Sequence, residues 1–464
     1  MFESLFDNTV RFHFVGIGGA GMSALAELLR KDHYQVSGSD QCLNDNTKRL
    51  QQLGAVIYQQ HHRQNLDLAD IVVISSAIKQ DNPEYLAARQ KSLPIVKRGA
   101  LLAQLAQRYK HTITVIGSHG KTTTTALIAD ILMQANQSPG FAIGGCLNSI
   151  MTNNKLGSGH YFIAEGDESD GSFLQLKTNI AIITSISRDH LVYYDNDFAK
   201  LTQAFIGFIE KMPDDGLLVL CCDDETIRNI LPQIKNNKCQ LISYGTTEHA
   251  DVYASNIQSA QGNSCFEVIK KQRPFLSTKL NIPGGYNILN ALAAIIVADY
   301  LGVNTTTIDN SLKHFKGVQR RFEYLGIRQF KTVTTEIIHD YGHHPHELAA
   351  VIDTVRQNWP AKPIAMVFQP HRYSRTAALF DQFITVLSTV DQLYLLPIYA
   401  AHETNSTGIS SDQLYQQLLK KNNCAVYYIA SLDNVIRELT ETLYDNSILL
   451  LQGAGDIGQL VYTI

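Results

Sequence analysis

Nowhere in the 464 residues do about 18 apolar side chains follow one another, so no membrane-spanning helix is expected. The opening stretch, MFESLFDNTVRF, lacks a basic region followed by a long apolar one, and no secretory signal is expected from it. Basic residues are not in excess: 39 Lys and Arg stand against 43 Asp and Glu, a formal net charge of −4 that gives nucleic-acid binding no footing. Seven cysteines (Cys42, Cys146, Cys221, Cys222, Cys239, Cys265 and Cys424) are scattered and never spaced C-x-x-C. That argues against a disulfide framework or a cysteine zinc site and suits reduced thiols in a cytoplasmic protein. Periodic repeats and low-complexity tracts are missing too. A chain that is 45% hydrophobic and 18% charged reads as a globular enzyme, long enough for two to four domains. Monomer and homodimer are both compatible with this composition.

The most informative segment that is present is Gly117-Ser118-His119-Gly120-Lys121-Thr122-Thr123. Before it, the apolar run His111–Gly117 reads as a buried strand. After it, KTTTTALIADILMQAN reads as a helix with Leu127, Ile131 and Ala135 on one face. A Gly-rich turn between strand and helix holds nucleotide phosphates: backbone N–H groups and the helix end meet the anion, Lys121 adds a charge, and Thr122 can ligate Mg²⁺. The loop is shortened, since Val115 stands where the ordinary P-loop has its first Gly. The threonine run fits the same reading, because β-branched Thr is a mediocre helix former and needs another reason to be there.

Alternating strands and helices point to three α/β units in a row: 1–108, 109–322 and 323–464. In the first, strand RFHFVGIG runs into Gly16-x-Gly18-Gly19-x-Gly21, and the next strand ends at Asp40 after Ser37. This dinucleotide fingerprint read alone suggests NAD or FAD, but the same turn serves any pyrophosphate, including that of a UDP-sugar. A third strand ends in Ser75-Ser76-Ala77. In the second unit, strand HYFIA runs into Glu165, Asp167, Glu168 and Asp170, oxygen donors suited to Mg²⁺. Strand IAIITSI leads to Arg188-Asp189-His190. A β-rich stretch, 217–282, and a helix from Asn287 complete the unit. The third unit begins after Gly317-Val-Gln-Arg320-Arg321-Phe322 and carries His339-Asp340-Tyr-Gly-His-His-Pro-His346. Zinc is disfavoured there, since Pro345 breaks any helical i, i+4 histidine pair and no cysteine cluster accompanies it. His371, Arg372 and Arg375 follow a strand, where guanidinium groups suit a carboxylate or phosphate. Gly453-x-Gly455-x-x-Gly458 mimics a second fingerprint, but only six residues follow it, so it reads as a turn after the last strand.

Taken together, these segments resemble the Mur ligases of peptidoglycan synthesis. The resemblance runs through FVGIGGAGMSALAE, VSGSD, SSAI with NPE, GSHGKTTTT, AEGDESDGSFL, DH, NILNALAA, GVQRRFE, DYGHHPHE, FQPHRYSRT and PIYAAHE, in that order. The segments AEGDESDGSFL and FQPHRYSRT favour the alanine-adding branch. The resemblance implies three domains: a Rossmann-like one for UDP-N-acetylmuramate, a central P-loop-type ATPase domain, and a Rossmann-like C-terminal one for the amino acid and part of the ATP site. It also implies a reaction in which ATP converts the muramoyl carboxylate to an acyl phosphate that L-alanine attacks. The products are ADP, phosphate and UDP-N-acetylmuramoyl-L-alanine, and the fingerprint then serves UDP rather than NAD.

By the family pattern, Gly16, Gly18, Gly19, Gly21, Ser37, Asp40, Ser76 and Ala77 face the UDP-sugar, and Gly117–Thr123 hold the ATP phosphates. Lys121 meets the β/γ-phosphates, Thr122, Glu168 and His190 hold magnesium, and Arg321 steadies the transferring phosphoryl group. Asn287 contacts adenine, Asp340 the ribose, and His371, Arg372 and Arg375 the alanine carboxylate. Some positions depart from the pattern. Ser118 replaces Thr, Ser185-Ile-Ser187-Arg188 replaces Asn-Ile-Glu-x, Gly285-Tyr286 replaces Arg-His, and His339 replaces Asp. The alternatives are a ligase that joins a preformed tripeptide to the same sugar and a UDP-sugar-binding protein impaired in catalysis.

Overall fold

The computed structural model describes residues 10–189, 191–234, 238–401 and 403–464. The chain forms two compact units. One comprises Met1–Asn256, Phe266–Thr278 and Leu289–Phe315; the other comprises Ile257–Cys265, Lys279–Ile288 and Lys316–Ile464. Among the described residues, no helix is long and apolar enough to cross a membrane.

The first unit holds two sheets. The N-terminal one is all parallel: β1 (Arg11–Val15), β2 (Gln35–Asp40), β3 (Val56–Gln59), β4 (Ile71–Ile74) and β5 (Ile95–Lys97), in the order β3-β2-β1-β4-β5. Its central strands β1 and β4 are buried along nearly their whole length, as a sheet covered on both faces requires. Strand order reverses between β1 and β4, and Gly16–Gly21 lies at that switch point, where open α/β sheets bind ligands.

The second sheet of this unit contains β6 (His111–Ile116), β7 (Gly140–Leu147), β8 (Thr152–Lys155), β9 (Tyr161–Glu165), β10 (Ile180–Ile183), β11 (Leu217–Cys221) and β12 (Gln240–Gly245). Their order is β12-β11-β10-β6-β9-β7-β8, with only β7 and β8 antiparallel to each other. Three more strands, β13 (Val252–Ala260), β14 (Asn263–Lys270) and β15 (Arg273–Leu280), extend it beyond β12. Helices Ala20–Lys31 and Arg98–Ala106 of the first sheet pack with Ala142, Phe162, Ala164 and Leu176 of the second, so the two share one apolar core.

The helix after the phosphate loop differs from the expectation. Lys121–Gln134 is buried around nearly its whole circumference from Thr122 to Leu132, instead of presenting one apolar face, and Ala135 lies at its cap. Its threonines are tolerated because their hydroxyls find partners: Thr122 donates to Glu165, Thr124 to Asn290 (3.1 Å) and Thr125 back to the Lys121 carbonyl (2.8 Å).

The second unit carries a six-stranded sheet of β16 (Glu323–Phe330), β17 (Val333–Asp340), β18 (Ile364–Phe368), β19 (Gln392–Leu395), β20 (Ala425–Tyr428) and β21 (Ser447–Gln452). The order is β16-β17-β21-β18-β19-β20, parallel except for the β16–β17 hairpin. The fully buried β18 and β21 form its centre. The architecture is thus the three α/β domains expected.

Candidate active site

The phosphate loop follows β6. Gly117 and Gly120 adopt φ of 136° and 81°, which only glycine reaches without strain, and a Cβ on Gly120 would overlap the Asn290 carboxamide. The end of β10 pins the loop: Ser118 N donates to Ser185 O (2.9 Å), His119 N to Ser185 Oγ (2.9 Å), and Ser187 N to Ser118 Oγ (2.8 Å). The three serines that depart from the family pattern, Ser118, Ser185 and Ser187, therefore brace the loop. Arg188, the cation gained there, lies over the Phe198 ring, 4.8 Å from its centroid. His119 Nε2 lies 3.2 Å from Asp189 Oδ2. His190 lies outside the described residues.

Lys121 Nζ donates to Gly117 O (2.5 Å) and Glu168 Oε1 (2.9 Å). Burial alone would lower its pKa, but Glu168, Glu165 and Asp167 outweigh that and raise it above the ordinary lysine value, so the ammonium stays charged. Glu165 accepts from Thr122 Oγ1 (2.9 Å) and Gly144 N (2.6 Å), and Tyr194 Oη donates to the Glu168 carbonyl (2.8 Å). Among the described residues no three His, Cys, Asp or Glu side chains converge as a metal cage. Mg²⁺ needs fewer, because it keeps waters and phosphate oxygens and takes one or two carboxylates. Thr122, Glu165 and Glu168 offer such hard oxygens side by side, so the donor set fits the ion.

Facing this loop, in the same unit, is the fingerprint turn. Gly16 N and Ile17 N donate to Ser39 O, and Gly18 N donates to Asp40 Oδ2 (2.8 Å). Asp40 thus fastens the turn. Ser37 is bonded to His13 Nδ1 (2.9 Å), and Ser76 and Ala77 are exposed beyond β4. Helix Ala20–Lys31 begins with no side-chain cap and no acid in its first turn, which leaves backbone donors for an anion. A cavity of about 310 Å³ joins this helix start to the phosphate loop, lined by Gly19, Gly21, Ser75, Arg98, Lys121 and Glu165 among others.

The second unit gathers its own set. Asp340 is buried and accepts from Phe322 N (2.8 Å), Gly342 N (2.7 Å) and Gln452 Nε2 (2.8 Å), so it organises the turn that carries Arg320 and Arg321. Both guanidinium groups lie over Tyr341, at 4.9 and 5.0 Å. Asn287 is buried, with Nδ2 on Pro283 O (2.7 Å). Arg375 Nη1 lies 3.3 Å from His371 Nδ1, and the exposed Arg372 bends back at a φ of 73°. The His371 ring is flanked by His343 and Tyr399. Burial, then neighbouring charge, pushes His371 down to about 3; burial, partly offset by Glu347, pushes His343 down to about 4. Both rings are neutral at ordinary pH. Gly453-x-Gly455-x-x-Gly458 is a turn after the last strand, as expected, and it does the reverse of a fingerprint: its carbonyls receive Arg320 Nη2 at 2.8 and 3.1 Å.

Sequence reasoning passed over Arg98, Asn290, Gly144 and Tyr194. Asn290 had a signal, being one helical turn after Asn287 on the same motif. Arg98 and Gly144 had none, since only the folded chain brings them to the phosphate loop.

Three family models match the chain in order: Mur ligase family, catalytic domain, over residues 11–110; Mur ligase middle domain over 115–298; and Mur ligase, glutamate ligase domain, over 320–455. Among solved structures, the UDP-N-acetylmuramate–alanine ligase of Thermotoga maritima is similar at a TM-score of 0.83 and 28% identity, covering 98% of this chain and 97% of that one. A murein peptide ligase of Psychrobacter arcticus shares the fold, with a TM-score of 0.72, 20% identity and 98% of each chain covered. The UDP-N-acetylmuramate:L-alanyl-γ-D-glutamyl-meso-diaminopimelate ligase of Neisseria meningitides is 25% identical with a TM-score of 0.62, covering 67% of this chain and 100% of that one.

Proposed function

Because the chain belongs to the Mur ligase family, whose members form amide bonds with ATP in peptidoglycan synthesis, we propose that it joins L-alanine to the carboxylate of UDP-N-acetylmuramate. The observation that carries the reading is one continuous cavity with an uncapped helix start at one end and Lys121 at the other. A substrate anchored by its diphosphate at the first can present an acid to ATP at the second. The similarity to the alanine ligase of Thermotoga maritima supports the choice of acceptor. The working division into 1–108, 109–322 and 323–464 is part of the proposal.

The carboxylate oxygen attacks the γ-phosphorus, an O–P bond forms, and ADP leaves. The alanine nitrogen then attacks the acyl carbon, and phosphate leaves as the amide forms. Two anions meet in the first step, so the site must cancel charge and align atoms. Lys121 neutralises β/γ-phosphate oxygens, and within the 117–123 loop the N–H groups of 120–123 cradle them, those of Ser118 and His119 being held by Ser185. Thr122, Glu168 and His190 would hold magnesium, which supplies further charge neutralisation on the phosphate oxygens when bound. Arg321, braced by Tyr341, steadies the transferring group; Asn287 and Asp340 serve the adenosine. Arg372 and Arg375 clamp the alanine carboxylate, with His371 uncharged beside them.

A second reading, transfer of a preformed tripeptide, draws on the similarity to the Neisseria enzyme. One assay separates the two: UDP-N-acetylmuramate, ATP and Mg²⁺ with L-alanine, glycine, L-serine or tripeptide, following ADP and phosphate. We expect release with L-alanine first. Release with tripeptide alone selects the second reading, and none with any acceptor selects a binding protein impaired in catalysis.

A further inference from the structure

Arg98 opens helix Arg98–Ala106, directly after the last strand of the N-terminal sheet. Its Nη2 reaches the acidic loop after β9: 2.9 Å to Asp167 Oδ2, 3.5 Å to Asp170 Oδ2 and 3.5 Å to Ser172 Oγ. These contacts straddle Glu168. The helix also approaches that loop closely, because the next residue is Gly99, where a Cβ would overlap Ser172. The other half of the guanidinium faces the opposite way. Nη1 lies over Gly21, in the first turn of helix Ala20–Lys31, where an added Cβ would stand 3.1 Å from it. Among the described residues Nη1 and Nε have no protein acceptor, and the side chain is 17% exposed.

Arg98 and Lys121 are the two cationic side chains lining the cavity between the fingerprint turn and the phosphate loop. Lys121 is occupied by Glu168 and loop carbonyls, and Glu165, which with Asp167 lines the cavity, by Thr122 and Gly144. The donors left for an anion entering this cavity therefore include the backbone N–H groups at the start of helix Ala20–Lys31, the Ser75 hydroxyl and, as the one charged group, the free face of Arg98. A guanidinium whose one edge is fixed by carboxylates presents its other edge in a set orientation, at little further entropic cost.

We propose that Arg98 is a substrate-binding residue whose free Nη1 edge takes anionic oxygens of the UDP-sugar acid, while its Nη2 edge holds Asp167 and Asp170 on either side of Glu168. The residue thus ties occupancy of the sugar cavity to the loop that carries a magnesium ligand. The inference rests on the function proposed above, and the anion is either the diphosphate or the sugar's carboxylate.

The test is calorimetric binding of UDP-N-acetylmuramate and of UDP-N-acetylglucosamine, which lacks the carboxylate, without ATP or Mg²⁺. The proteins are the full-length wild type, Arg98→Gln and Arg98→Lys. We expect Arg98→Gln to weaken UDP-N-acetylmuramate about 10- to 100-fold, with Arg98→Lys intermediate. Equal losses with both sugars assign the diphosphate; a loss confined to UDP-N-acetylmuramate assigns the carboxylate. Unchanged sugar affinity alongside a raised KM for ATP overturns the inference and leaves Arg98 a strut for the acidic loop. If Arg98→Gln gives no cooperative unfolding transition, Arg98→Lys decides: wild-type sugar affinity in it overturns the inference. A wild type that binds neither sugar removes the function itself, a distinct result.

Discussion

Lys121 Nζ stands 2.9 Å from Glu168 Oε1 and 2.5 Å from the Gly117 carbonyl, so the loop's cation is held by its own backbone and by the carboxylate proposed to hold magnesium. Each of the two charges is the other's neutraliser until a nucleotide arrives. Lys121→Ala should abolish ADP release while leaving UDP-sugar binding within about threefold, because backbone donors and Arg98 dominate that end of the cavity. It also strands a carboxylate that is 1% exposed, which costs about 3–5 kcal/mol of stability. Lys121→Ala/Glu168→Gln should recover much of that loss in urea unfolding without recovering turnover. Near-normal turnover in Lys121→Ala, or no recovery in the double variant, contradicts the pairing.

Much of this was legible because strand–turn–helix junctions announce themselves locally. The glycines at 16–21 and 117–120 mark tight turns, and the acids at 165–170 follow a strand of plain apolar residues. What the sequence hid was long-range and polar. The fingerprint spacing brings Asp40 to the UDP-sugar site but does not reveal that β2 lies beside β1, so that its carboxylate also reaches Gly18 N. The spacing of Leu127, Ile131 and Ala135 marks one apolar face of the threonine helix and does not reveal that its threonines are buried too, with hydroxyls satisfied by neighbours, as Thr124 is by the remote Asn290. Arg98 sits in an unremarkable stretch, IVKRGALLAQ, and gains meaning only from the acidic loop some seventy residues later.

Gly120 offers a separate test of the loop's backbone. Its φ of 81° and its contact with Asn290 leave no room for a methyl group. Gly120→Ala should cost at least about 1–2 kcal/mol from the left-handed conformation alone and lower kcat/KM for ATP far more than for the UDP-sugar. Asn290→Ala in the same background should relieve the overlap but not the dihedral strain, so stability should return only in part. Full restoration by the second substitution shows that sterics, not φ, governs the site.

A buried acid away from the chemistry should govern acid sensitivity. Glu84 is fully buried and accepts from Ser39 Oγ (2.5 Å), Asn65 Nδ2 (2.6 Å) and His62 N (3.4 Å), with His61 Nδ1 at 3.2 Å and His13 Nε2 at 3.4 Å. Burial alone would raise its pKa; His13 first, then Ser39 and Asn65, outweigh it and hold the value below the ordinary glutamate range. A depressed folded pKa gives stability that is present above the unfolded value, about 4.3, and is lost as pH falls through the folded one. Glu84→Gln should therefore be less stable than wild type by about 1–3 kcal/mol near pH 6. That gap should narrow as pH falls through the depressed folded pKa, where the wild type loses its ionised carboxylate. Urea midpoints followed from about pH 6 downward check it, and a constant gap contradicts the assignment.

The C-terminal Gly453-x-Gly455-x-x-Gly458 turn should bind no anion, because it already encloses a cation. Arg320 Nη2 donates to the carbonyls of Gly453 and Gly455, and a Cβ on Gly458 would stand 3.2 Å from Arg320 Cζ. The carbonyls converge inward, so the turn offers negative partial charge where a fingerprint offers positive. Arg320 also lies over Tyr341, which contacts Arg321, so disturbing the cradle should reach the phosphoryl-transfer residue through one ring. Arg320→Lys keeps the charge but loses the planar fork. It should cost about 1.5–3 kcal/mol in urea unfolding. It should also lower kcat about tenfold or more while leaving KM for the UDP-sugar unchanged, since that substrate is assigned to the other unit. Gly458→Ala, which crowds the guanidinium without removing it, should move the same two quantities in the same direction and by less. An unaltered kcat in both variants, with stability reduced, confines the cradle to holding the C-terminal turn.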